Sequence, residues 1–173
     1  VKVPEYRHGF SRGERGETMC ESELQEDDRL AIDSESGAIA IHVVGGTWSG
    51  MLAPDIVRAI GRGFTPESAL SLLDDDLRTF ELMDLGSHTR NKNDLRRQKG
   101  RLIGEDGRTR ELMEELTGAE VVIKGSTLGV IGQQEEVNAV RRAVGMILDG
   151  APHGAVYSFL ERKHNEMKHK GLE

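Results

Sequence analysis

Arg101-Leu102-Ile103-Gly104-Glu105-Asp106-Gly107 sets two glycines three positions apart behind an apolar pair. Lys99 and Arg101 stand on one side of the pair, Arg108 and Arg110 on the other. Glycine reaches backbone conformations closed to other residues, so this spacing lets a chain reverse sharply. Where a helix begins just beyond the reversal, its free amides and its dipole attract phosphate. In a chain with 21 glycines the spacing alone says little; the flanking cations and the neighbouring elements give it weight.

Those elements follow in a readable order. Beyond the turn, Thr109, Leu112, Met113 and Leu116 recur at helical spacing, and Gly118 caps the run. Two β-rich stretches then flank Lys124-Gly125-Ser126-Thr127, the pattern of a hairpin. Val137, Val140, Val144 and Ile147 mark a helix with one buried stripe. Before the turn, Thr79 to Leu85 reads as a strand. The same order stands 91 residues earlier, around Gly13-Glu14-Arg15-Gly16. There Val1 to Pro4 is the strand, Cys20 and Leu24 a thin helical stripe, Leu30 to Ile32 and Ile39 to Ile41 the hairpin, and Ala53 to Ile60 the closing helix. The chain therefore reads as two α+β modules, residues 1–74 and 75–173. Thr65-Pro66 starts a short bridging helix that runs out in Asp74-Asp75-Asp76. Pro152 opens a last helix that docks through Val156, Phe159 and Leu160, with a polar end from Lys163 onward expected to fray. Gly45 to Gly50 reads as a flexible connector.

Charge is unevenly placed. The chain carries 23 Lys and Arg against 30 Asp and Glu, a net charge of -7, which argues against coating nucleic acid by bulk charge. Yet residues 90–110 hold eight cations and three carboxylates, while residues 1–40 hold five cations and ten carboxylates. A polyanion site confined to the second module follows. The uncharged, glycine-rich stretch His42 to Pro54 falls short of the roughly 20 apolar residues a bilayer needs. Val1 to Pro4 forms no signal core, and the lone Cys20 has no internal disulfide partner, so a reducing, cytoplasmic setting without membrane is expected.

With its turn, its cations and its order of elements, the chain resembles the KH family of single-stranded nucleic-acid binders. More of it, Ile56 to Phe64, Leu95 to Arg101, Gly150 to His153 and Val156 to Glu161, resembles the archaeal relatives of the pre-ribosomal KH protein known as partner of Nob one. The resemblance implies two type I (eukaryotic-type) KH modules, each a three-stranded antiparallel sheet packed by three helices. It also implies RNA binding near the 3′ end of the small-subunit ribosomal RNA, without enzymatic activity or cofactor. A maturation endonuclease and other ribosome-assembly or initiation proteins are the implied partners. In KH domains the turn and the following sheet edge clamp about four unpaired nucleotides. Carried onto this chain, Gly104, Glu105, Asp106 and Gly107 face phosphate, Ile103 and Leu112 underlie the groove, and Val122 to Lys124 form its far wall. Arg96, Arg97, Lys99, Arg101, Arg108, Arg110 and Lys124 supply the charge. In the first module Gly13, Arg15 and Gly16 are the corresponding weak site, with Ser11-Arg12 where the family places apolar residues and a following helix crowded with glutamates. That module is expected to be degenerate, supporting geometry or protein contacts. Two other readings stay open: a general single-stranded RNA adaptor, and a protein scaffold recruiting a maturation nuclease.

Catalytic chemistry finds little to work with. Successive residues on a helix point about 100° apart, so Asp74, Asp75 and Asp76 do not converge on a metal. His164 and His169 are five apart, not the four that would stack them on one helix face, and together with His153 read as surface histidines. Cys20 sits among acids that disfavour a thiolate.

Overall fold

The computed structural model describes residues 29–33, 38–42 and 48–170. The chain divides into two compact units, residues 1–76 and 77–173.

In the first unit β1 (Arg29–Asp33) and β2 (Ala38–His42) pair antiparallel, with Leu30 opposite Ile41 and Ile32 opposite Ile39. α1 (Trp48–Arg62) and α2 (Pro66–Asp74) follow and pack together. Trp48, Ser49 and Gly50, expected in a connector, instead form the first turn of α1. The buried stripe Ala53, Ile56, Val57 and Ile60 drives this helix, and packing outweighs the cost of Gly50, Gly61 and Pro54 within it. Thr65 caps α2 as its spelling requires, its hydroxyl accepting from Ser68 N at 3.2 Å with Pro66 next in line. Gly13, Arg15, Gly16 and the strand expected at Val1 to Pro4 lie outside the described residues.

The second unit is a three-stranded antiparallel sheet carrying helices. β3 (Arg78–Asp84) and β4 (Glu120–Lys124) flank β5 (Thr127–Gln133), giving the order β3-β5-β4 and leaving β4 as an edge. Phe80 pairs with Ile131 and Val121 with Val130. The central strand β5, Thr-Leu-Gly-Val-Ile-Gly-Gln, is buried from Leu128 through Gly132, hence its nearly continuous apolar spelling. At Gly132 a side chain would begin 2.7 Å from Glu136 Oε2 and 3.0 Å from Ala119 Cβ, so only glycine lets the strand pass there.

The helices are α3 (Lys92–Ile103), α4 (Arg108–Thr117), α5 (Gln134–Leu148) and α6 (His153–Lys170). Leu102 of α3, Met113 of α4, Val137, Val140, Val144 and Ile147 of α5, and Val156 and Leu160 of α6 meet Val121, Leu128 and Val130 in one core. Asn91 caps α3 by accepting from Asp94 N, while Asp94 accepts from Arg90 N. Gln133 and Glu136 form a capping box at the start of α5.

The end of α6 does not fray as its polar spelling suggested; the helix runs to Lys170. His164 Nδ1 donates to Leu116 O at 2.9 Å, and Lys163 pairs with Glu166 at 2.5 Å. Among the described residues no helix is long and apolar enough to cross a membrane.

Candidate nucleic-acid interface

α3 ends and α4 begins within four residues, and the two glycines make this possible in different ways. Gly104 has φ 78° and ψ 176°, a region essentially closed to side chains, and its N–H closes on Gly100 O at 2.8 Å. A Cβ there would sit 2.3 Å from Thr109 Oγ1 and 2.7 Å from Thr109 N. Gly107, at φ 84° and ψ 1°, has room: the nearest atom to an added Cβ is Glu111 Oε1 at 3.7 Å. It needs the left-handed conformation rather than the space. Between them Glu105 and Asp106 form a single exposed turn, with Asp106 at φ 50°, the one non-glycine residue at positive φ among the described residues.

The cations proposed for this turn separate into groups. Lys92, Arg96, Lys99 and Ile103, spaced four, three and four apart, share one face of α3 and lead down to Gly104. Arg96 and Arg108 are exposed and Lys99 half-buried, and none of the three pairs with a described carboxylate. Arg97 binds Asp94 at 2.8 Å, and this contact together with the Arg90 N–H holds the Asp94 carboxyl below the ordinary carboxylate range. Arg110 is tied to Glu114 at 2.9 Å, and Glu114 also accepts from Val121 N. Lys124 ends the edge strand β4. Strand alternation sets Val121 and Ile123 toward the helices and Val122 and Lys124 on the opposite face, so of the expected far wall Ile123 faces the groove side.

Arg101 has a different place from the one its spelling suggests. Its guanidinium donates to Ile147 O at 2.6 Å and to Ala151 O, satisfying carbonyls where α5 gives way to α6. Gln98 adds a bond from Nε2 to Leu148 O at 3.1 Å. These residues lock α3 to the α5–α6 joint and leave the guanidinium of Arg101 occupied by carbonyls rather than facing phosphate.

Two residues not assigned to the site from sequence stand beside the turn. His153 Nε2 donates to Arg101 O at 2.9 Å, and Tyr157 OH lies 2.9 Å from Thr109 Oγ1. The two rings, one helical turn apart on α6, have centroids 6.0 Å apart at 47°. His153 and His164 are thus half-buried anchors of α6, not surface histidines. The signal for His153 and Tyr157 is their spacing of four residues at the start of a docking helix, but nothing local says what they touch. Among the described residues no group of three or more His, Cys, Asp or Glu side chains could hold a metal.

Known proteins bear on this geometry. Residues 79–165 match the second KH domain of PNO1, a eukaryotic-type KH-domain (KH-domain type I). A KH domain-containing protein of Methanocaldococcus jannaschii is 37% identical over the whole chain, which covers 77% of that protein. The pre-rRNA-processing protein pno1 of Emericella nidulans is 36% identical over 67% of this chain, which spans 46% of that relative's length. A chain in the crystal structure of the a/eIF2alpha-aDim2p-rRNA complex from Pyrococcus horikoshii superposes with a TM-score of 0.84 at 37% identity, covering 96% of this chain and 93% of its own. On these matches the chain belongs to the PNO1-type family of eukaryotic-type KH-domain proteins.

Proposed function

We propose that this protein is an RNA-binding factor of small ribosomal subunit assembly, which grips single-stranded ribosomal RNA near the 3′ end of the small-subunit RNA through its second unit. One observation carries the reading: an exposed Gly104 to Gly107 turn, fed by the Lys92–Arg96–Lys99 face of α3 and opening the N-terminus of α4, in a chain of the PNO1 family. The amides at the start of α4 and the cations Arg96, Lys99 and Arg108 are the phosphate contacts of this reading, and Ile103, Leu112 and Ile123 support the bases. Pre-rRNA-processing relatives and a neighbour solved with rRNA support the ribosomal destination. As in its KH-domain family, the work is binding rather than catalysis.

In the same reading the first unit is a degenerate KH module, residues 1–74, joined to a second module over 75–173. It serves as a protein-facing partner domain for a maturation endonuclease or for assembly and initiation proteins in the cytoplasm. The test is fluorescence anisotropy with an RNA copying the 3′ end of the small-subunit RNA against a scrambled RNA of equal length. Tighter binding of the former, lost in Gly107→Asp with the circular dichroism spectrum retained, is the expected result. Equal affinities would leave a general single-strand adaptor, and affinity indifferent to Gly107→Asp would remove the turn from the function.

A further inference from the structure

The turn has a second flank, on the side of α6. There a cleft of about 610 Å3 lies between Glu105 and Asp106 of the turn, Arg108 and Glu111 of α4, and His153 and Tyr157 of α6. Its size falls within the ~300–1,000 Å3 of small-ligand sites, larger than a phosphate requires.

The lining chemistry narrows the occupant. His153 and Tyr157 present two rings, each fixed by a hydrogen bond, the first to Arg101 O and the second to Thr109 Oγ1. Rings already held in place stack on a flat partner at little entropic cost. Glu105, Asp106 and Glu111 are exposed carboxylates that pair with no described cation. The rings favour a flat group, and carboxylates repel a phosphate and accept hydrogen bonds, so the part of an RNA chain that suits the cleft is a base that carries N–H donors. Adenine, cytosine and guanine meet that description through their exocyclic amino groups; uracil lacks one. Arg108, which also lines the cleft, is an exposed cation available to the phosphate of such a nucleotide.

We propose that this cleft is a nucleobase subsite, which takes the nucleotide next to the tract held at the turn and favours bases bearing an exocyclic amino group. The proposal rests on the RNA-binding reading above. It gives a purpose to the two carboxylates inside a phosphate-binding turn: they read a base from one side while the backbone amides and the α3 cations hold the strand from the other.

The full chain, crosslinked by ultraviolet light to a pool of randomised RNAs of about ten nucleotides, tests it when adducts are mapped by mass spectrometry. Affinities for that pool are compared with those for a pool of about four nucleotides, the length a KH turn clamps. An adduct on Tyr157 or His153 is expected. In His153→Ala with Tyr157→Ala the longer pool should bind about five-fold or more weakly, while the shorter stays within about two-fold. Glu111→Gln, on the exposed face of α4, should reduce the share of amino-bearing bases among bound sequences. Adducts confined to residues away from α6, or an equal loss on both lengths, would overturn the subsite and make the two rings positioning residues for the turn. Short RNAs that bind with no gain on lengthening would overturn it while sparing the RNA-binding reading. Failure of both pools to bind would overturn the two together.

Discussion

The hydroxyl of Tyr157 lies 2.9 Å from that of Thr109, and the same Thr109 Oγ1 fills the space where a side chain on Gly104 would start. The C-terminal helix, a buried threonine and the first glycine of the turn are therefore one packed unit. If so, Thr109→Val and Tyr157→Phe should each destabilise the fold by about 1 kcal/mol and be non-additive, with a coupling of similar size. Urea unfolding of the two single variants and the double variant gives the coupling; strict additivity would mean the hydroxyls do not depend on each other.

The two glycines are expected to respond unequally. Gly104→Ala combines a closed backbone region with a clash against Thr109 and should cost roughly 2 kcal/mol or more. Gly107→Ala meets only the penalty of a left-handed residue, about 1 kcal/mol. Thermal unfolding of both variants checks the order. A consequence for binding assays is that Gly104→Asp tests the fold, whereas Gly107→Asp tests the RNA.

Arg101 should separate from the other cations near the turn. Arg96→Gln, Lys99→Gln and Arg108→Gln are each expected to flatten the salt dependence of RNA binding by up to about 0.7 in log-log slope while leaving the melting temperature nearly unchanged. Arg101→Gln is expected to lower stability by roughly 1–3 kcal/mol, because it releases two carbonyls at the α5–α6 joint, and to leave the slope alone. Titrations across a salt series would expose the error if Arg101 behaved like its neighbours.

Asp94 supplies a pH-dependent contribution. Its carboxyl is held below its ordinary value of 3.8, first by the Arg97 guanidinium and then by the Arg90 amide. A depressed folded-state pKa stabilises the fold above the unfolded value and loses that effect as pH falls through the folded one. The stability difference between the protein and Asp94→Asn should thus be present near neutrality, begin to shrink as pH falls through about 3.8, and vanish only below the lower folded-state value in acid unfolding curves. A difference constant across that range would mean that Asp94 acts without its charge.

Sequence patterns carried the second unit well, because its signals are local. The strand near Thr79 to Leu85, the glycine turn, the Gly118 cap, the hairpin about Gly125 and the stripe from Val137 to Ile147 all lie in short windows with one dominant period. Long-range hydrogen bonds were not legible. Arg101 looked like a phosphate ligand because no pattern reveals that carbonyls 46 and 50 residues away converge on it. His153, Tyr157 and His164 escaped for the same reason: their partners lie 52, 48 and 48 residues distant. The polar end of α6 is helical although its composition alone suggests fraying, because His164 ties it to Leu116 O of α4 and Lys163 pairs with Glu166 within the helix.

In the function proposed above, the backbone between Ile103 and Thr109 holds a ribonucleotide strand. The most direct measurement is an NMR titration of the 15N-labelled chain with the small-subunit 3′-end RNA, followed amide by amide. The amides of Gly104 to Arg108 are expected to move earliest and farthest, with Lys99 and Ile103 close behind. Amides of the turn that stay still at saturating RNA, while another surface shifts, would contradict it.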